Sequence, residues 1–206
     1  MVAGDAAWTA ATTAELAGHG VPAGGLADGT GLLQLVRSSP PEAAVLRDSL
    51  TIDGCPAFAA VARAAPSTGI LLVAARPAPA LLLEAVLAGV MGYLVDPTSA
   101  DLADAVRQVA DGEAIVPPCM VRDLVAGIMA HSRRMASARR ASSRLSGRER
   151  EVWALLADGL DRNGIGTTLG LSVGTVRTYM QKLRTKFDVH SRAELRALWD
   201  DLAAPG

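Results

Sequence analysis

The feature that most constrains this chain is the dense punctuation of its last sixty residues, Leu145 to Ala204. Ser146-x-x-Glu149 is a capping box that opens a helix through Ala157, and Gly159 ends it. A short helix runs from Arg162 to Leu169 and stops at Gly170. Ser172 caps the next helix, to Phe187, and Ser191-x-x-Glu194 opens a last one to about Leu202. Apolar positions such as Val152, Leu156, Ile165, Val176, Leu183, Leu195 and Leu198 suffice for a small shared core. Four short helices with a tight turn between the second and third make a helix-turn-helix unit.

The third of these helices carries the candidate chemistry. Val176, Met180, Leu183 and Phe187 form an inward apolar stripe, and Arg177, Thr178, Gln181, Lys182, Arg184 and Lys186 lie outside it. A short helix with one face buried and the other able to meet phosphates and base edges suits the major groove. Double-stranded DNA is therefore the leading partner.

Charge points the same way. Residues 1–130 carry six Arg and no Lys against thirteen Asp and Glu, a net −7, whereas residues 131–206 carry fourteen basic groups against eight acidic, a net +6. The two halves do different work, and the basic one meets the polyanion. Cys55 and Cys119 lack metal-ligand spacing and suit a reducing cytoplasm. The start MVAGDAAW has neither the basic end nor the apolar core of a signal peptide. Glu84, two prolines and the Gly89/Gly92 pair make Pro77 to Val95 a soluble helix and strand, with no membrane partner. His19, His131 and His190 are scattered and there is no P-loop or nucleophile elbow, so no enzyme, catalytic residue, metal or cofactor is expected.

The first half alternates helix and strand signals. Helices are expected at Ala7–Gly18, Gly31–Arg37, Ala78–Ala88 and Ser99–Asp111, the last capped by Ser99. A brief apolar run at Ala43–Leu46 and strands at Ile70–Ala75 and Gly92–Val95 fall between them. This alternation predicts an α/β doubly wound parallel sheet covered on both faces, over residues 1–130. Residues 131–144, HSRRMASARRASSR, with five arginines and four serines, read as a solvated, partly helical linker to the all-α unit at 145–206.

The stretch from Leu145 to Leu195 resembles the helix-turn-helix domain of the LuxR/NarL/FixJ bacterial regulators, through R-E-x-E-V near its start and S-x-G-T-V-R-x-x-x-x-x-L-x-x-K in its third helix. The whole layout resembles a NarL-type response regulator with an N-terminal receiver of flavodoxin-like fold. The resemblance implies that the third helix enters the major groove, with Arg177, Thr178 and Gln181 facing base edges. Arg can bond guanine O6 and N7, and Gln can pair with adenine. Thr175, Tyr179, Lys182 and Lys186 are implied nearer phosphates. Two departures stand out. Tyr179 replaces a common His, and Asn163-Gly164-Ile165-Gly166 replaces Lys-Glu-Ile-Ala. Two helical glycines cost about 1 kcal/mol each against Ala, so fraying of that helix without DNA is expected.

A phosphorylated receiver needs an acidic pair holding a divalent cation, an Asp nucleophile, a Thr or Ser, and a Lys, because the cations neutralise the incoming phosphoryl charge. Here the first strand is truncated and leaves at best Asp5 of the pair. The alignment puts Arg47 at the nucleophile, Ala74 at the hydroxyl and Asp96 at the Lys. Asp48 is the alternative acceptor if the register slips by one, although that slip turns the side chain to the other face. An ion pair of Arg47 with Asp96 or Asp48 would mimic a locked state.

These readings describe a cytoplasmic, sequence-specific transcription regulator that acts without aspartyl phosphorylation. A homodimer or a heterodimer with a related regulator matches two half-sites, and RNA polymerase is a further partner. Leu82, Val86, Val95, Leu102 and Val106 are candidates for the pairing surface, although core is their first reading. The alternative is a regulator whose N-terminal domain senses a small molecule.

Overall fold

An apolar run with no polar alternation belongs in a strand covered on both faces. Gly69–Ala74 is such a strand, buried along its whole length in the computed structural model of the protein, which describes residues 1–26 and 29–203. The chain folds as two compact units, Met1–Ile128 and Met129–Gly206.

The first unit runs β1 (Val2–Ala3), α1 (Ala6–Gly18), β2 (Gly25–Leu26), α2 (Gly29–Ser38), β3 (Ala43–Arg47), β4 (Thr51–Ile52), β5 (Cys55–Pro56), α3 (Ala57–Ala64), β6 (Gly69–Ala74), α4 (Pro79–Leu87), β7 (Gly92–Val95) and α5 (Ser99–Ala110). Five strands pair in parallel in the order β2-β1-β3-β6-β7. Leu32, Val36, Phe58, Val61 and Leu82 cover one face, and Leu16, Leu102, Val106 and Val109 the other. This is the doubly wound order in which the direction of winding reverses between β1 and β3. Of the residues considered for a pairing surface, Leu82, Leu102 and Val106 are buried in these cores, while Val86 and Val95 are partly buried against one of them.

Local chemistry corrects the sequence reading in several places. The first strand is short yet central, since Val2 and Ala3 are flanked by β2 and β3. The segment after β3, left unassigned above, is a hairpin followed by a helix. Asp53 and Gly54 form its two-residue turn with φ of 51° and 77°, the left-handed pair that Asp-Gly favours. The cap of α5 is Thr98, not Ser99. The residue three beyond Thr98 is Asp101, whose carboxylate returns to the Thr98 amide, whereas Ser99 has apolar Leu102 at that spacing.

A short 3-10 turn at Pro118–Met120 leads into α6 (Val121–Ser143), followed by α7 (Gly147–Ala157), α8 (Arg162–Leu169), α9 (Val173–Phe187) and α10 (Arg192–Ala203). Residues 131–143, read as a linker, are helical throughout. Met135, Ala138 and Ala141 recur at one-turn spacing and pack on the helix-turn-helix core, so an apolar stripe hidden among arginines holds the segment. No helix among the described residues is long and apolar enough to cross a membrane.

In the structure α8, the helix expected to fray without DNA, runs from Arg162 to Leu169 with Gly166 buried within it. A Cβ on Gly166 would meet the Leu171 carbonyl oxygen at 2.8 Å. The glycine is what lets the turn into α9 close.

Candidate functional site

The position of α9 follows from its two ends and one buried stripe. At its start the Ser172 Oγ accepts from the Thr175 amide at 3.1 Å. At its end Asp188 takes the left-handed conformation at φ 53°. Between them Val176, Met180, Leu183 and Phe187 are buried. Beneath lies Trp153, 4.4 Å from the Phe187 ring and edge-on to Trp199 at 4.9 Å. Its indole N–H donates to the Leu195 carbonyl at 2.8 Å, so the buried polar atom is satisfied. Arg192 donates to the Gly159 and Leu160 carbonyls and closes the end of α7.

The outer face of α9 holds the predicted contact residues, and the structure sorts them into three groups. Arg177 and Gln181 are exposed one turn apart, and neither side chain bonds to any described residue. Both are free to donate outward. Thr178 is exposed with its hydroxyl on the Gly174 carbonyl at 3.1 Å, and Thr175 shares the cap with the Ser172 hydroxyl at 2.8 Å. Lys182 is exposed with its ammonium over the half-buried Tyr179 ring at 5.6 Å, a cation–π contact that orients it without neutralising it.

Lys186, expected near a phosphate, has a carboxylate partner within the chain. Its Nζ lies 2.7 Å from the Glu149 Oε2, and that carboxylate also accepts from the Ser146 amide at 2.8 Å. Only 6% of the Glu149 side chain is exposed. The Lys186 hydrogen bond, and then the Ser146 amide, hold the Glu149 carboxyl below its usual range. Lys186 therefore ties α9 to the start of α7. Sequence reading assigned Glu149 to the capping box and missed this second partner, which lies 37 residues away.

In the first unit the strand ends bring Arg47, Ala74 and Asp96 to one cleft of about 230 Å³, lined also by Trp8, Thr12 and Glu15. The ion pair considered for Arg47 is not made among the described residues. The Arg47 guanidinium lies 5.4 Å from the centre of the Trp8 ring, and no ion pair joins it to Asp96 or Asp48 among the described residues. Asp48 lies outside the cleft lining, which follows from strand alternation: Arg47 continues the side of Val45, and Asp48 that of Leu46. Asp5 serves as N-cap of α1, accepting from the Trp8 amide at 3.0 Å. A side chain on Gly4 would overlap the Trp8 ring, so the glycine makes room for the stack. Sequence reading missed Trp8 and Gly4; the signal was an isolated Trp in an Ala- and Thr-rich helix. His19 and Ser99 do meet, at 3.3 Å, as an exposed pair at a helix end.

Comparison with known proteins decides the family. The pattern of "Bacterial regulatory proteins, luxR family" matches residues 143–198. The probable transcriptional regulatory protein NarL of Mycobacterium tuberculosis is 32% identical over 168 residues, 81% of this chain and 75% of that protein. The chain belongs to the NarL group of LuxR-type response regulators. The transcriptional regulatory protein DesR of Bacillus subtilis is 32% identical over 126 residues, 61% of this chain and 56% of its own. Among solved structures, the RcsB response regulator of Salmonella typhimurium superposes with a TM-score of 0.53 at 19% identity, covering 97% of both chains. An RcsB–DNA complex gives 0.51 at 19% identity, covering 98% of this chain and 97% of that one. Membership makes the chain a DNA-binding transcription regulator, and the match lies over the helix-turn-helix.

Proposed function

We propose that this regulator reads duplex DNA through α9, with Arg177, Thr178 and Gln181 at base edges and Thr175, Tyr179 and Lys182 beside phosphates. The observation that carries the reading is the Arg177–Gln181 pair, exposed and unengaged on a helix held by four buried side chains. A guanidinium and an amide one turn apart match adjacent base edges in the major groove. Lys186 is assigned to the α7–α9 tie. The experiment is binding of the full chain to its selected operator and to random duplex. Arg177→Ala weakens specific binding by about 1–3 kcal/mol and relaxes one base position, whereas Lys182→Ala weakens both kinds of binding and flattens the salt slope. Unchanged preference in Arg177→Ala overturns the assignment.

Control of the N-terminal unit is independent of aspartyl phosphorylation in this proposal. A guanidinium stands in place of a nucleophile, a methyl in place of a hydroxyl, and a carboxylate in place of an ammonium, so the cleft would repel the chemistry it resembles. Acetyl phosphate or beryllofluoride with Mg²⁺ leaves mass in solution and DNA affinity unchanged, and a shift in either overturns this part. Pairing with a second copy or a related regulator accounts for reading two half-sites, and light scattering with and without DNA tests it. A second reading, a small-molecule sensor, is favoured by one observation: the stacked Arg47 and Trp8 face an open cleft.

A further inference from the structure

We infer that the cleft at the strand ends binds a small zwitterion, an α-amino acid or close analogue with an apolar side chain. The inference rests on the sensor reading and supplies its ligand class. The place comes first. Arg47, Ala74 and Asp96 sit at the carboxyl ends of β3, β6 and β7, beside the β1/β3 reversal, where doubly wound sheets hold their ligands.

Charge narrows the class. The lining holds a guanidinium with no carboxylate partner together with Asp96 and Glu15, both exposed and in no ion pair among the described residues. A purely anionic ligand would satisfy Arg47 and be repelled by the two carboxylates. A purely cationic one would meet the reverse. A molecule carrying both charges a few bonds apart avoids either repulsion, its carboxylate accepting from Arg47 and its ammonium donating to Asp96 or Glu15. The Trp8 ring supplies an apolar wall, with the Arg47 guanidinium carbon 5.4 Å from its centre.

Size and backbone agree. A volume of about 230 Å³ falls below the roughly 300–1,000 Å³ that drug-sized ligands occupy. Asp96 holds φ at 45° and its amide donates to the Ala74 carbonyl at 2.9 Å. Left-handed backbone at a non-glycine residue is maintained where the surroundings impose it, commonly at ligand sites.

The test is calorimetry and thermal melting of the full chain with L-leucine, L-phenylalanine, L-methionine and L-tryptophan as probes. The single-charge controls are 3-phenylpropionate and phenethylamine. At least one zwitterion binds and raises the melting temperature, and 3-phenylpropionate and phenethylamine each bind about tenfold or more weakly than L-phenylalanine or the best zwitterion, the worth of one lost charged hydrogen bond. Arg47→Met removes the binding. Asp96→Asn, which keeps a residue tolerant of positive φ, weakens it without lowering the melting temperature of the unliganded chain. Silence of every zwitterion at millimolar concentration overturns the inference. So does equal binding of 3-phenylpropionate, or binding that survives Arg47→Met. A response to beryllofluoride with Mg²⁺ would instead sink the phosphorylation-independent reading beneath it.

Discussion

The two units preserve different things. In the helix-turn-helix unit, the residues that hold the fold and those that face outward alternate along a single helix, and both sets are complete: Val176, Met180, Leu183 and Phe187 inward, Arg177 and Gln181 outward. In the sheet unit the fold is complete while the groups at the strand ends have changed. The parallel order, both cores and the crossovers stand, yet Arg47, Ala74 and Asp96 now line the cleft. A core tolerates no such freedom, since its side chains interlock. A strand end facing solvent constrains the backbone and leaves the side chain to chemistry. Scaffold and chemistry thus separate in one unit and are fused in the other.

That contrast is open to direct attack, beginning with the core of the fused unit. Trp153→Ala removes the ring under Phe187 and Trp199 and the indole hydrogen bond to the Leu195 carbonyl. We expect a loss of about 3–5 kcal/mol, seen as an early melting transition and lost operator binding, with the sheet unit still folded by circular dichroism.

Next in size is Gly166→Ala. Helix propensity alone predicts a gain of about 1 kcal/mol. The contact with the Leu171 carbonyl at 2.8 Å predicts the reverse, a loss of about 1–3 kcal/mol from forced shifts. A rise in melting temperature would show that the turn has room.

A smaller effect concerns pH. The folded Glu149 carboxyl is held below its ordinary value by Lys186 and then the Ser146 amide. Its contribution is therefore whole above the unfolded value of about 4.3 and is lost as pH falls through the lower, folded value. Acid unfolding of the wild type has a slope there that Glu149→Gln lacks. Equal slopes in the two proteins would remove the ion pair from the account.

The least effect is expected from Arg47→Asp. Restoring a carboxylate at the nucleophile position yields no labelling by acetyl phosphate, because Ala74 brings no hydroxyl and Asp96 adds a repelling charge. Incorporated phosphate would mean that the strand-end replacements do not act together.

Much of this was legible before any coordinates. The starts of α7 and α9 and the stops of α7 and α8 follow from Ser146, Ser172, Gly159 and Gly170, because caps and breakers act within one turn. The outward set on α9 follows from helical period. Less legible were the short strands β1 and β2, two residues each, whose existence depends on the neighbours that pair with them. The α6 stripe of Met135, Ala138 and Ala141 was masked by arginine content.

The order of residues alone determined local matters: helix ends, buried periodicity, the opposite charges of the halves, and the chemical kinds standing at the strand ends. Tertiary structure alone decided which distant groups meet. It gave Lys186 to Glu149, laid Arg47 over Trp8 rather than on Asp96, and made Gly166 indispensable to a turn. The reason is range. Backbone hydrogen bonds and side-chain period operate over a few residues, whereas an ion pair or a stacked ring depends on where whole elements come to rest.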